Sequence, residues 1–309
     1  MLPMPSSIMP GHESGGETTT YADWVEASVL FSREAVSKAD VRDYFYEENT
    51  FQREKTDEAV DNIWSELVRR RRVLRNKYPV TPRKGRLELT INWDSCPAYS
   101  FCLLVSYAKG NKAWMQRSCN DYPEQGCLFE QVTSDALRKT FTAWEVDRTG
   151  WSAETPTRLS SCINMILGKL GECPGAGKPR SDDKDGAVDI LCYRTFSDCR
   201  GDYPVFFVQC STGNDWIDKR GQNVIPLWKD WIGFRAPNLL SRAFAVPFSL
   251  CDDAFLQTQV RVDGLVLDRI RLFSGTQPEA QWLAEDTRLR IIDWLKKKLA
   301  TLDGACLET

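Results

Sequence analysis

Hydrophobic positions recur along this chain in two rhythms, a helical one over the first third and an alternation of strand-like runs with helices from residue 126 onward. Trp24, Val25, Ala27, Val29, Leu30 and Phe31 place a helix over Tyr21 to Arg33. Ser37-Lys38-Ala39-Asp40 has the spacing of a capping box and opens a second helix carrying Val41, Tyr44 and Phe45. A third covers Thr56 to Arg72, where Ala59, Ile63, Leu67 and then Leu74 repeat at helical spacing, and Tyr78 to Thr90 reads as strand, turn and strand. Three helices and a hairpin predict an N-terminal helical domain over residues 21–95 that can take a winged-helix arrangement. Residues 1–20, rich in Pro, Gly, Ser and Thr, are expected to form a disordered tail. Residues 96–125 are expected to connect the two parts, with the apolar stretch Ala98 to Ala108 in helix or strand.

The second rhythm predicts an α/β domain over 126–309. Cys127 to Phe141 is an amphipathic helix, Ala143 to Val146 a short strand and Thr157 to Leu170 a helix. After two central strands come a helix within Lys219 to Trp231, a strand over Arg242 to Leu250, a helix over Asp252 to Val260, a strand over Leu265 to Leu272 and a closing segment from Gln281 to Leu302. Strands separated by helices imply a mixed or mostly parallel sheet with helices on its faces.

The two central strands carry the chemistry. Asp185-Gly186-Ala187-Val188-Asp189-Ile190-Leu191-Cys192-Tyr193 and Pro204-Val205-Phe206-Phe207-Val208-Gln209-Cys210-Ser211 are apolar runs with a polar group set inside each. An unpaired buried carboxylate costs several kcal/mol, so Asp189 asks for a partner, and a divalent metal shared with Gln209 is the leading one. Gln209 can instead hydrogen-bond within a core, and Asp185 can be a turn or capping residue. Trp216, Trp228 and Trp231 suit packing between helix and sheet better than stacking on bases.

Composition narrows the chemistry. The 309 residues are 42% hydrophobic, enough for a substantial core, and carry a net charge of −3. No apolar run reaches the roughly 20 residues of a membrane span, and the N-terminus lacks a secretion signal, so a cytoplasmic protein is expected. The eleven cysteines form no Cys-x-x-Cys pair, which predicts reduced thiols and argues against zinc. The one histidine, His12, lies in the tail, which excludes histidine-dependent triads and nucleases. No phosphate loop or dinucleotide fingerprint is present. Nine Lys or Arg and no acid lie between Arg69 and Arg86. Arg69, Arg70, Arg71, Arg72 and Lys84 therefore either lie on nucleic-acid phosphates or form a solvated helix end and turn.

The order helix, strand, strand with Asp, strand with a polar triplet, helix, strand resembles the PD-(D/E)XK, or restriction-endonuclease-like, nuclease superfamily over roughly Gly126 to Leu250. Gly126-Cys127-Leu128-Phe129-Glu130 resembles the Gly-x-x-Phe-Glu helical signature of its Mrr-like branch, Asp189 falls on the metal-binding aspartate, and Gln209-Cys210-Ser211 falls on the (D/E)-x-K triplet. The resemblance implies a restriction-endonuclease-like mixed sheet flanked by helices, with Mg²⁺ or Mn²⁺ held by Asp189, Glu130 and Gln209. It implies metal-dependent cleavage of DNA in bacterial restriction or antiphage defence, with DNA, a defence partner protein or a second copy as partners and no membrane. Ser211 stands where the superfamily has lysine, so Lys219, eight residues on, is expected to reach back, with Lys184 the next candidate. The missing lysine and the weakly acidic charge favour the rival reading, a degenerate nuclease fold that binds DNA or protein. A cysteine-based enzyme ranks third, because Cys210 lacks a histidine base.

Overall fold

The computed structural model describes residues 1–8, 16–149, 159–180, 183, 186–198 and 200–302, so His12, Lys184 and Asp185 lie outside the described residues. In chain order the elements are α1 (Gly16–Ser32), β1 (Val36–Ser37), α2 (Lys38–Glu47), α3 (Arg53–Leu74), β2 (Val80–Arg83), β3 (Arg86–Leu89), α4 (Pro97–Gly110), α5 (Lys112–Ser118), α6 (Tyr122–Thr140), β4 (Glu145–Arg148), α7 (Leu159–Leu170), β5 (Cys173–Pro174), β6 (Ile190–Tyr193), β7 (Val205–Cys210), α8 (Trp216–Lys219), α9 (Ile225–Trp231), β8 (Ile232–Gly233), β9 (Leu240–Ala245), α10 (Asp252–Val262), β10 (Gly264–Leu267), α11 (Arg269–Ser274) and α12 (Glu285–Leu299). They divide into a first unit of Met1–Tyr122, Pro247–Phe255 and Asp268–Thr309, and a second of Pro123–Val246 and Leu256–Leu267.

The first unit is built around two helices with no solvent face. From Thr19 to Ser32 in α1, and along all of α4, every residue is buried, so these helices show no polar stripe. The segment Ala98 to Ala108, expected to be a connector, is thus the centre of a core. The expected tail is structured at both described ends. Gly16 to Thr20 begin α1, and Leu2 is buried, its carbonyl accepting from Trp24 Nε1 at 2.8 Å and its N–H donating to Ser28 Oγ at 3.1 Å. Ser6 N–H reaches the last carbonyl of α4, Gly110, at 2.8 Å, satisfying a group the helix leaves open. Composition favoured disorder, but one buried leucine and several backbone bonds anchor the segment.

Asp40 and Ser37 form the reciprocal capping box read from the sequence. The β2–β3 hairpin turns through Lys84 and Gly85, both at positive φ, the backbone of a tight two-residue hairpin turn, and β1 completes an antiparallel sheet in the order β1-β3-β2. The C-terminal elements also belong here, so residues 126–309 are not one domain. Trp294 of α12 packs edge-on against Phe101 of α4 at 5.0 Å and donates Nε1 to Asp121 at 2.7 Å. Burial of large apolar side chains, each about 1.5–3 kcal/mol, draws this helix back to the first core. The strand expected over Leu265 to Leu272 breaks at Asp268, whose carboxylate caps α11 through Arg271 N–H at 2.8 Å.

The second unit is a mixed five-stranded sheet in the order β10-β9-β7-β6-β4, flanked by helices. β4, β6 and β7 are antiparallel neighbours, and β9 and β10 join in parallel through helical crossovers. Side chains alternate across β7. Phe206 stacks on Phe141 and Trp144 at the end of α6, while Phe207 packs on Trp228 of α9. Trp216, Trp228 and Trp231 are all buried, as packing predicts. Among the described residues no helix is long and apolar enough to cross a membrane, and the nine described cysteines are free thiols.

Candidate active site

All four site residues expected from the sequence lie in the second unit. Asp189 immediately precedes β6, two residues after the turn at Gly186 and Ala187, and is part-buried. Its N–H donates to the Val208 carbonyl at 3.0 Å, and its Oδ2 accepts from Cys210 N–H at 2.7 Å. The start of β6 and the end of β7 are therefore stitched together, and Asp189 and Gln209 become neighbours as expected. Two continuous apolar runs set this up, because they pair and leave their polar ends side by side.

Glu130 comes from α6. Buried Leu128 and Phe129 seat the helix and turn the next residue to the rim, where Glu130 Oε2 accepts from Arg148 Nη2 at 3.1 Å. Arg148 ends β4 and also reaches Cys127 Sγ at 3.6 Å, while the next N–H, of Thr149, donates to the Asp189 carbonyl at 2.9 Å. Cys210 feels both carboxylates. Burial, then the Asp189 and Glu130 carboxylates, push its thiol well above the ordinary range, with Thr133 and Arg148 acting in the opposite sense. Such a thiol stays protonated and is a poor nucleophile. Burial would lower the Arg148 pKa, but Glu130 outweighs it and raises the value, so the guanidinium remains charged.

Two expected participants are engaged elsewhere. Gln209 points to the face opposite Cys210 and donates Nε2 to Gln222 Oε1 at 3.3 Å. Lys219, at the end of α8, pairs with Asp215 at 3.1 Å, four residues earlier. Among the described residues Arg148 is a cation paired with Glu130, which the sequence reading missed because it ended the strand at Val146. The alternation Glu145-Val146-Asp147-Arg148, with only Val146 buried, was the available signal.

No family model, curated protein or solved structure matches the chain.

Hard divalent ions need oxygen ligands and can keep much of their water, with only one or two carboxylates from the protein. Among the described residues no group of three or more His, Cys, Asp or Glu is arranged to hold a metal, which argues against an all-protein cage. Asp189 and Glu130 are the oxygen-donor type that a lightly held Mg²⁺ or Mn²⁺ takes. Ser211 Oγ, Ser134 Oγ and Arg148 Nε are buried polar atoms without hydrogen-bond partners. Ser211 directly follows β7, and Ser134 lies one turn along α6 from Glu130.

In the first unit the basic run divides. Arg70 is wholly buried and pairs with Asp23 at 2.6 Å and Glu26 and Glu66 at 2.8 Å, so it cannot lie on phosphate. Arg69 holds Glu66 with two nitrogens, at 2.6 and 2.8 Å. Asp23 and Glu26 sit on the buried helix α1, where their charge requires cations at close range. Arg71 is half-buried, Arg72 is exposed, and Lys84 is exposed at the hairpin tip.

Proposed function

We propose that the second unit is a metal-dependent endonuclease acting on DNA phosphodiester bonds. The observation that carries this reading is the bond of Asp189 to the end of β7 at Cys210, a residue on which the Glu130 carboxylate and its partner Arg148 also act. The sheet supports it, since α6, β4, β6, β7, α9 and β9 follow the order of the restriction-endonuclease-like nucleases the sequence resembles, with three antiparallel strands and then a parallel one. A bound divalent cation would lower the pKa of water and spread negative charge on the phosphate. Asp189 and Glu130 would hold that ion, and Arg148 would place positive charge beside it.

The first unit supports a DNA-recognition role through its order α1, β1, α2, α3, β2, β3 with sheet order β1-β3-β2, a winged-helix succession. Arg71, Arg72 and Lys84 are its accessible cations from the expected set. A cytoplasmic restriction or antiphage role, with a defence partner protein or a second copy of the chain, belongs to the same proposal.

The test is cleavage of supercoiled plasmid with Mg²⁺, Mn²⁺ or EDTA. Metal-dependent nicking is expected from the wild type and not from Asp189→Asn, which keeps an oxygen for the Cys210 N–H. Nicking that survives EDTA or Asp189→Asn refutes the assignment. A second reading, a degenerate fold that binds DNA or protein, is favoured by Ser211 at the lysine position and by the Lys219–Asp215 pair. It predicts DNA or protein binding with no cleavage in any metal.

A further inference from the structure

We propose that Arg148 is the phosphate-binding residue of this site, taking the place of the lysine that Ser211 cannot supply, and that its pairing with Glu130 is a resting contact exchanged for substrate. The inference rests on the nuclease reading and names the residue that would meet the scissile phosphate.

Arg69 closes a full fork on Glu66 with Nε and Nη2 at 2.6 and 2.8 Å, and Arg42 and Arg138 hold Asp57 and Asp135 through one nitrogen at 2.6 and 2.8 Å. Arg148 meets Glu130 through Nη2 alone, at a longer 3.1 Å, and gives the same nitrogen to the Cys127 sulfur at 3.6 Å, a weak acceptor. Its Nε is buried without a partner. A guanidinium with an unused Nε donor is suited to a second acceptor oxygen, such as one of a phosphate's.

Position agrees with this bonding. Arg148 is the last residue of β4, and the adjoining Thr149 N–H is bonded to the Asp189 carbonyl at 2.9 Å. The backbone carrying the cation is thus fastened to the backbone carrying the carboxylate. With one guanidinium and two carboxylates, the trio of Arg148, Asp189 and Glu130 is negative by one charge when empty. A divalent ion on the carboxylates makes it net positive, so an anion is favoured only after the metal is in place. Binding of metal to Glu130 also competes with its contact to Arg148, which frees the guanidinium when a phosphate has somewhere to sit.

The experiment uses the full chain, with Mn²⁺ alone and then inorganic phosphate in the presence of Mn²⁺, both followed by calorimetry, and plasmid nicking in parallel. Arg148→Ala is expected to bind Mn²⁺ several-fold more tightly, because a competing cation is gone, yet to lose Mn²⁺-dependent phosphate binding by about tenfold or more, and nicking by about a hundredfold. Arg148→Lys should recover most of the phosphate binding, and Lys219→Ala should leave it unchanged. If Arg148→Ala does not fold, Arg148→Gln, which can still donate to Glu130, is expected to show the same losses. The proposal is overturned, with the nuclease reading intact, if Arg148→Ala keeps phosphate binding and nicking while Asp189→Asn loses Mn²⁺ binding and nicking. It is also overturned if Lys219→Ala is the variant that loses phosphate, or if the wild type binds no phosphate with Mn²⁺ present. Wild-type Mn²⁺ affinity and nicking in Asp189→Asn would overturn the nuclease reading itself.

Discussion

Replacing Arg70 by Met tests whether the basic run of α3 binds DNA or holds the first unit together. The substitution keeps most of the side-chain volume and removes the charge. Arg70 and Arg269 are the two cations bonded to Asp23, and Arg70 alone also bonds Glu26 and Glu66. Without it, Glu26 keeps Tyr78 and Tyr99 as hydrogen-bond donors, at 3.0 and 2.6 Å, but loses its ion pair. Two acids on a buried helix would then share one guanidinium. Breaking a buried ion pair on one side costs about 3–5 kcal/mol, a large part of the roughly 5–15 kcal/mol that stabilises a whole domain. Chemical denaturation followed by circular dichroism measures the loss, and amide hydrogen exchange in α1 and α3 assigns it to this unit. Pairing Arg70→Met with Asp23→Asn should cost less than the two changes summed, by about 1 kcal/mol or more, because the orphaned charge is then removed. A loss under about 1 kcal/mol for Arg70→Met, with weaker DNA binding, would refute the structural role and restore Arg70 to the DNA surface.

The other predictions follow from the same contacts. Glu279 caps α4 by accepting from Ala98 and Tyr99 N–H at 2.7 and 2.9 Å, and burial pushes its carboxyl up to about 7. A raised native pKa favours the folded state below the unfolded value and loses that advantage as pH rises, so the stability of Glu279→Gln relative to wild type should increase by roughly 2–3 kcal/mol between about pH 4.5 and 7.5 in paired denaturation curves. Asp23 behaves in the opposite sense: burial raises its carboxyl, Arg269 and Arg70 outweigh this and lower it, and its contribution should be lost as acid titration passes below the ordinary carboxylate range. Asp189→Ala should destabilise by about 1–2 kcal/mol, since it strands the Cys210 N–H, whereas Asp189→Asn should not; equal melting of the two variants would show that the bond is unimportant. Replacing Arg71, Arg72 and Lys84 together by Ala, with Arg70 spared, should leave the fold intact and make the salt dependence of DNA binding shallower, and an unchanged slope would remove these residues from the interface.

Local rules carried far in this chain. Helical spacing located α1, α3 and α6, the Ser37–Asp40 box started α2 as read, and the alternating apolar runs became the adjacent strands β6 and β7. Such features depend on residues three or four apart, or on the period of a strand, and so are visible without the fold. Asp189 stood out for the same reason, as a charge within an apolar run. What local rules cannot see is which distant group answers a charge. Arg69 and Arg70 are adjacent and chemically identical, yet one lies at the rim and the other faces two acids on α1. Arg148 and Glu130 are eighteen residues apart and meet only because β4 and α6 pack into one unit.

The sequence by itself determined most of the elements, including α1, α2, α3, α6, β6 and β7, and the strand end at which a carboxylate had to be placed. Tertiary structure alone decided that the opening residues pack as core, that α12 returns to the first unit, that Lys219 is held by Asp215, and that Arg148 meets Glu130. The physical reason is range: propensity, capping and periodicity act within a few residues, whereas burial and charge compensation are settled by whichever groups the folded chain brings within hydrogen-bond distance.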